Sequence, residues 1–300
     1  MKIGVIGLGS WGRRVFEEYA RLRDEGVTDA VVGCDTDPGQ LAAIDGADAT
    51  YESLEETLEA ADAVHVCTNN ESHYPIAQRA LRSDTDVLLE KPLTLDRRNA
   101  YHLVELASER GRILQSGHVF RFANVVRKVR DLYDDGYFGD VYYVTLRWTH
   151  QTEPIDGTDV LWDLLPHPLD ILNFVARDWP DDAVVIGDAC RRPDRLEFAT
   201  ASLEFEEFTA VVQLSWVDPV RRRQLEIVGA ERSAVVECVD QTIDVAGTAP
   251  DPIDVVKNNT IRTEAQNFIN AIETGQNTFN SAIVGARTVD VIDEIHTEVR

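Results

Sequence analysis

Short apolar runs alternate with amphipathic stretches through the first 118 residues. The runs Ile3–Val5, Ala30–Cys34, Ala63–Cys67, Val87–Leu89 and Ile113–Gln115 are too brief for helices and are bounded by turn residues, which predicts strands. Between them, residues 12–25, 73–82 and 96–110 carry apolar positions at helical spacing. Strand and helix in repeated alternation predict a parallel, doubly wound α/β sheet.

From about residue 119 the texture changes. A helical stretch, Asn124–Asp134, precedes a long alternating segment, Asp140–Thr149, of the kind that leaves one sheet face exposed. A further helix is predicted near 168–176. Strand patterns follow at 183–189, 198–206, 208–217, 223–229, 233–239 and 242–245, an antiparallel series, and helical patterns near 263–274 and 281–298 close the chain. The expectation is two domains. Residues 1–118 form the doubly wound one, and residues 119–300 form an α+β domain with a large open antiparallel sheet; the last helix can pack back on the first domain. No repeat or low-complexity linker separates the halves, so they are expected to pack directly with a cleft between them.

Composition narrows the function classes. With 44% hydrophobic and 27% charged residues, disordered, collagen-like and disulfide-stapled chains are excluded. No apolar run is long enough to cross a bilayer and Met1 leads straight into the first strand, so a cytoplasmic protein is expected. Asp and Glu number 53 against 29 Lys and Arg, a net charge of -24, which makes nucleic acid and anionic membranes poor partners. Only Lys2, Lys91, Lys128 and Lys257 are lysines. An acid-rich, lysine-poor surface is similar to that of proteins adapted to molar salt, where the Debye length falls to about 3 Å and self-repulsion is screened. Cys34, Cys67, Cys190 and Cys238 lack CxxC spacing and read as buried thiols, with no metal site expected.

The candidate chemistry lies at strand ends. Gly7-Leu8-Gly9-Ser10-Trp11-Gly12 follows the first strand and opens a helix, and Asp35 ends the second strand. Glycine permits the tight turn and lets backbone N–H groups approach a pyrophosphate at a helix N-terminus, so the domain reads as a dinucleotide-binding Rossmann fold. Asp35, with Thr36 beside it, is placed to accept from ribose hydroxyls and would repel a 2'-phosphate. NAD is therefore favoured and NADP less so, although Asp35 could simply cap the turn that follows. Further on stand Thr68-Asn69-Asn70-Glu71-Ser72-His73 and Glu90-Lys91-Pro92-Leu93, both at strand ends where open α/β sheets bind ligands.

These residues, together with Gly117–Phe122 (GHVFRF) and Trp162–Leu172 (WDLLPHPLDIL), resemble the glucose-fructose oxidoreductase and inositol dehydrogenase family, Gfo/Idh/MocA, over essentially the whole chain. The resemblance implies an NAD-dependent dehydrogenase acting on a secondary hydroxyl of a sugar, polyol or nucleotide sugar. Lys91, Asp163 and His167 match its catalytic positions. Ser10, Trp11, Thr68, Asn69, His73, Glu90, Lys91 and Trp162 match positions near the cofactor, and Arg121 with Lys91, Asp163 and His167 matches positions near the substrate. The stretch around Trp162 and Asp163 is similar to members that oxidise nucleotide-linked sugars, and the family implies a homodimer or homotetramer built through the open sheet. Two other readings stand beside this one: an NAD-binding, sugar-responsive regulator without turnover, and a reductase of a non-sugar carbonyl or imine.

Each match also has a purely structural reading. Asp163 and His167 fall four apart, on one face if the segment is helical, yet Pro166 and Pro168 interrupt helical hydrogen bonding there. His73 can serve as a helix-start residue, Trp11 as a surface aromatic, and Arg121 as half of a salt bridge. The run Arg221-Arg222-Arg223 reads as a solvated patch or subunit contact rather than a phosphate site.

Overall fold

The computed structural model describes residues 1–155, 157–249, 252–276 and 279–297. The chain divides into two compact units, Met1–His118 with Ile261–Val289, and Val119–Thr260 with the residues from Asp290 on.

The first unit runs β1 (Lys2–Ile6), α1 (Ser10–Asp24), β2 (Ala30–Cys34), α2 (Pro38–Leu41), β3 (Ala49–Tyr51), α3 (Leu54–Ala60), β4 (Ala63–Val66), α4 (Asn70–Arg82), β5 (Asp86–Glu90), α5 (Arg97–Arg110) and β6 (Leu114–Gly117). All strands are parallel, in the order β3-β2-β1-β4-β5-β6. Strands β4 and β5 are buried along their whole length, as expected of a sheet covered on both faces. Strand β3 is only three residues long, too short to leave an apolar pattern. The order reverses between β1 and β4, so the loops after these strands open a crevice at their carboxyl ends.

The second unit begins with a 3-10 turn (Val119–Phe122) and α6 (Asn124–Asp134), then β7 (Val141–Thr149), α7 (Val160–Leu164) and α8 (Pro166–Ala176). There follow β8 (Asp182–Asp188), β9 (Phe198–Glu204), β10 (Thr209–Ser215), β11 (Arg222–Gly229), β12 (Arg232–Glu237) and β13 (Thr242–Gly247). The sheet order is β13-β12-β11-β7-β10-β9-β8. The expected antiparallel pattern holds at every pairing except β7 with β10, which run parallel, so the sheet is mixed. Alternation fixes which face of a strand is buried but not its partner, and the long connection carrying α7, α8, β8 and β9 lets β10 return alongside β7 in the same direction. Val144, Leu146 and Trp148, Ala210, Val212 and Leu214, and Leu225 and Ile227 form the inner face. On the outer face Tyr143, Val184, Ile186, Val211 and Val235 are exposed.

Two helices, α9 (Thr260–Thr274) and α10 (Ala282–Thr297), close the described chain. The sequence pattern placed them in the second domain, with the last helix able to pack back on the first; Ile261–Val289, which holds nearly all of α9 and the first half of α10, clusters with the first unit. The cause is α9, whose Ala265, Phe268 and Ile269 join Ile3, Val5, Leu8, Phe16 and Tyr19 in one buried core. Truncating a wholly buried aromatic such as Phe268 costs about 3–5 kcal/mol, so α9 belongs to that core. Among the described residues no helix is long and apolar enough to cross a membrane.

Candidate active site

The glycine turn joins β1 to α1. Gly7 has φ +88, and a Cβ on Gly12 would sit 1.8 Å from the Gly7 carbonyl oxygen, so the turn closes only with glycine at both positions. Around Gly9, in contrast, a Cβ would meet nothing within 4 Å. Gly9 is also the N-cap of α1, and no side chain caps that helix start. Open space over an uncapped helix N-terminus, with Ser10 exposed beside it, fits a bound pyrophosphate. At the end of β2, Asp35 Oδ2 accepts from Leu8 N at 2.7 Å and Oδ1 from Asp37 N at 2.9 Å. The carboxylate is thus clamped to the glycine turn. Each oxygen keeps a second lone pair, which suits ribose hydroxyls, and Thr36 beside it is exposed.

Glu90 and Lys91 lie at the end of β5. Glu90 is buried, accepts from Trp11 Nε1 at 2.5 Å, and has His65 Nε2 3.3 Å from the same oxygen. Burial works to raise the Glu90 carboxyl, but the His65 and Trp11 bonds and the Lys91 charge together hold it below its ordinary value. It is therefore an ionised group inside the domain, adjoining Lys91. The Lys91–Pro92 peptide is cis. His73, wholly buried in the first turn of α4, has Nδ1 2.8 Å from the Pro92 carbonyl and Nε2 3.2 Å from that of Thr68. Burial depresses its pKa against the pull of those carbonyls. The histidine ring thus sits between the segment after Lys91 and the loop after β4, its single N–H in the neutral form donating to one of the two carbonyls; in that loop Ser72 Oγ bonds to Thr68 Oγ1 and to the Asn69 carbonyl, both at 2.8 Å.

His65 was not singled out by any sequence motif. It points into the α1 side of the sheet, edge-on to Tyr19 with ring centroids 5.8 Å apart. The ligand-type atoms of His65, Cys67 and Glu90 lie within 4.8 Å of one another. Burial, reinforced by Glu90 and Glu264, pushes the Cys67 thiol well above its ordinary value, and within the trio His65 and Glu90 are joined by a hydrogen bond. Not all four cysteines are buried as expected: Cys34 and Cys238 are, Cys67 is half-buried, and Cys190 is exposed because it lies in the turn beyond β8.

In the second unit, Asp163 lies in α7 and His167 in α8. The two prolines split what would be one helix, because Pro166 and Pro168 have no N–H for the carbonyls of Trp162 and Leu164. Leu165 keeps helical dihedrals, φ -64 and ψ -28, so the two short helices follow one another without a loop. Asp163 Oδ2 accepts from Trp216 Nε1 at 2.9 Å. His167 packs edge-on against Phe120 at 5.0 Å and tilted against Trp148 at 6.2 Å. Trp162 is buried, 6.3 Å from the His296 ring, and His296 Nε2 lies 2.7 Å from Asp159, which caps α7. Arg121 is buried, with its guanidinium donating to Asp170 at 2.5 Å and Asn173 at 2.6 Å and lying over the Phe174 ring. That is the geometry of a structural ion pair. Of the arginine run, Arg221 is exposed and Arg222 pairs with Asp218 at 2.5 Å, whereas Arg223 turns inward over Trp148.

A parallel sheet with a glycine turn at its switch point, an acidic residue ending β2 and a lysine ending β5 defines a nicotinamide-dependent oxidoreductase. Comparison with known proteins bears this out. Residues 1–118 match the model of the oxidoreductase family with an NAD-binding Rossmann fold, and residues 126–235 match the GFO/IDH/MocA C-terminal domain. The chain belongs to the Gfo/Idh/MocA oxidoreductase family. It is 27% identical to UDP-N-acetylglucosamine 3-dehydrogenase of Acidithiobacillus ferrooxidans over all of this chain and 97% of the other. A solved structure of that enzyme superposes with a TM-score of 0.87 at 25% identity, again covering 100% and 97%. Inositol 2-dehydrogenase/D-chiro-inositol 3-dehydrogenase of Lactiplantibacillus plantarum is 30% identical over 59% of this chain and 53% of its own.

Proposed function

We propose that this oxidoreductase oxidises a secondary hydroxyl of a sugar or polyol with NAD, and that a nucleotide sugar is the first substrate to try. The observation that carries the reading is Lys91 at the carboxyl end of β5, adjoining the buried carboxylate of Glu90, in the same sheet as the glycine turn. A nucleotide-linked substrate is supported by similarity to UDP-N-acetylglucosamine 3-dehydrogenase along the full length of both chains.

When bound, the nicotinamide supplies the hydride acceptor. The chain's own residues do the rest. Backbone N–H groups at the start of α1 hold the pyrophosphate, and Asp35, assisted by Thr36, accepts from the ribose hydroxyls. Thr68, Asn69 and His73 shape the loop beside the cofactor. Lys91 orients the substrate oxygen and stabilises developing alkoxide charge, His167 takes or gives the hydroxyl proton, and Asp163 holds the substrate. Arg121 serves this reading by bracing α8, which carries His167, through Asp170. The exposed apolar residues on the outer face of the second sheet support a homo-oligomer formed through that face.

A panel of UDP- and TDP-sugars, inositols and free aldoses, scored for NADH at 340 nm in low and high KCl, tests the proposal. Turnover of one of them with NAD is the expected result. Failure of every member overturns it, and if a sugar then shifts NADH affinity without turnover, the regulator reading replaces it.

A further inference from the structure

Strands β4 and β5 bring three side chains of metal-ligating type to one face of the first sheet. Residues two apart in a strand share a face, so His65 of β4 and Cys67, just past its end, lie on the same side. The parallel register pairs His65 with Leu88 and Val66 with Leu89, and its next step sets Cys67 alongside Glu90 at the end of β5. One ligand atom from each, an imidazole nitrogen, the Cys67 Sγ and a carboxylate oxygen, lie within 4.8 Å of one another. Tyr19 of α1 stands edge-on to the His65 ring on this face.

The geometry within the trio is that of a coordination shell. His65 Nε2 and Glu90 Oε1 are 3.3 Å apart. A charge-assisted bond to a carboxylate is ordinarily about 2.7–2.9 Å, whereas about 3.3 Å is the edge of a tetrahedron whose bonds from a central ion to nitrogen and oxygen are about 2.0–2.1 Å. Trp11 Nε1 donates to the same Glu90 oxygen at 2.5 Å, the kind of outer bond that orients a ligating carboxylate. Two further polar atoms here, His65 Nδ1 and the Tyr19 hydroxyl, belong to wholly buried side chains and have no hydrogen-bond partner among the described residues. Buried polar atoms are nearly always paired, so orphans gathered at one spot point to a bound ion and its water. Charge agrees with this, since Glu90 and Glu264, both buried, act as negative charges on Cys67 and Tyr19 alike.

We propose that His65, Cys67 and Glu90 bind one zinc-type dication, with water in the fourth position. A thiolate, an imidazole and a carboxylate are a donor set suited to zinc(II) and poor for magnesium or calcium, which take oxygen donors. The ion takes the place of the Cys67 thiol proton, which leaves to solvent, and its charge offsets the carboxylates. It joins the end of β4 to the end of β5, directly before Thr68 and Lys91. The inference stands apart from the catalytic reading, in which neither His65 nor Cys67 takes part.

Untagged protein, stripped with a chelator, kept reduced with a phosphine and held in about 0.5 M KCl to screen the acidic surface, is titrated with zinc(II) by calorimetry and with cobalt(II) by absorption. One ion should bind per chain with a Kd of about 1 µM or tighter. The cobalt complex should show the visible bands of a four-coordinate site and a thiolate-to-cobalt absorption in the near ultraviolet. Cys67→Ala and His65→Gln should each weaken zinc binding by about thirtyfold or more with circular dichroism unchanged, and if one of them folds poorly the other carries the test. Cys190→Ser, which removes the exposed thiol, should leave the affinity within about twofold. Absence of stoichiometric binding overturns the inference, as does a cobalt complex without the thiolate band. Binding that persists in a folded Cys67→Ala protein overturns it too, and places the ion elsewhere.

Discussion

Replacing Trp11 with Phe tests how the glycine turn is tied to β5. The indole N–H donates to the Glu90 carboxylate at 2.5 Å, and phenylalanine retains most of the ring while deleting that donor. A hydrogen bond to a charged group is worth about 1.5–3 kcal/mol, and Glu90 is too buried for water to substitute freely. The variant should lose about 2 kcal/mol in urea unfolding at pH 7, or about 4–8 °C in Tm. The pH dependence has a definite sign. Glu90 is held below its ordinary value when folded, so its stabilising effect is present above the carboxylate range and is lost as pH falls through the folded value. Losing Trp11 removes part of that depression, so the gap between parent and variant should narrow as pH drops from 7 towards 4. Urea midpoints by circular dichroism at pH 7, 5.5 and 4 measure it. A gap under about 0.5 kcal/mol at pH 7, or one that widens in acid, refutes the assignment of Glu90 as an ionised anchor.

Lys91→Met and His167→Asn should each lower kcat/KM by about a hundredfold or more, the scale of one positioned acid or base, while NADH affinity by fluorescence titration stays within twofold. NAD(H) should bind at least about tenfold tighter than NADP(H) in calorimetry, since two like charges near 4 Å repel by about 4 kcal/mol at an effective dielectric of 20, and Asp35→Ser should erase most of that preference. The net charge of -24 leads us to expect a marked rise in Tm between about 0.1 and 2 M KCl, and a flat melting curve would end the high-salt reading. Ile186→Asp on the outer sheet face should shift the protein towards monomer in size-exclusion chromatography with light scattering, with secondary structure intact.

The first unit was legible because its information is local. Strand length, the glycine turn and the acidic end of β2 are consecutive in sequence, and a glycine with φ +88 announces itself by residue type. The motif residues after β4 and β5 follow from the same strand-helix rhythm. Three things were decided only by tertiary structure. Strand alternation could not say that β10 would return parallel to β7, because a pleat records which face is buried and not which strand lies beside it. Helix α9 joined the first unit because Phe268 and its neighbours found their complement in a core more than 200 residues earlier in the chain. The contacts of His65 and Arg223 were invisible for the same reason. A buried histidine on β4 and an arginine at the start of β11 look like any strand residue and any surface cation, until Glu90 and Tyr19 meet the one and Trp148 the other. Hydrophobic pattern encodes distance from solvent along the chain, whereas a polar side chain's chemistry depends on which partners, remote in sequence, the fold places within a few ångströms of it.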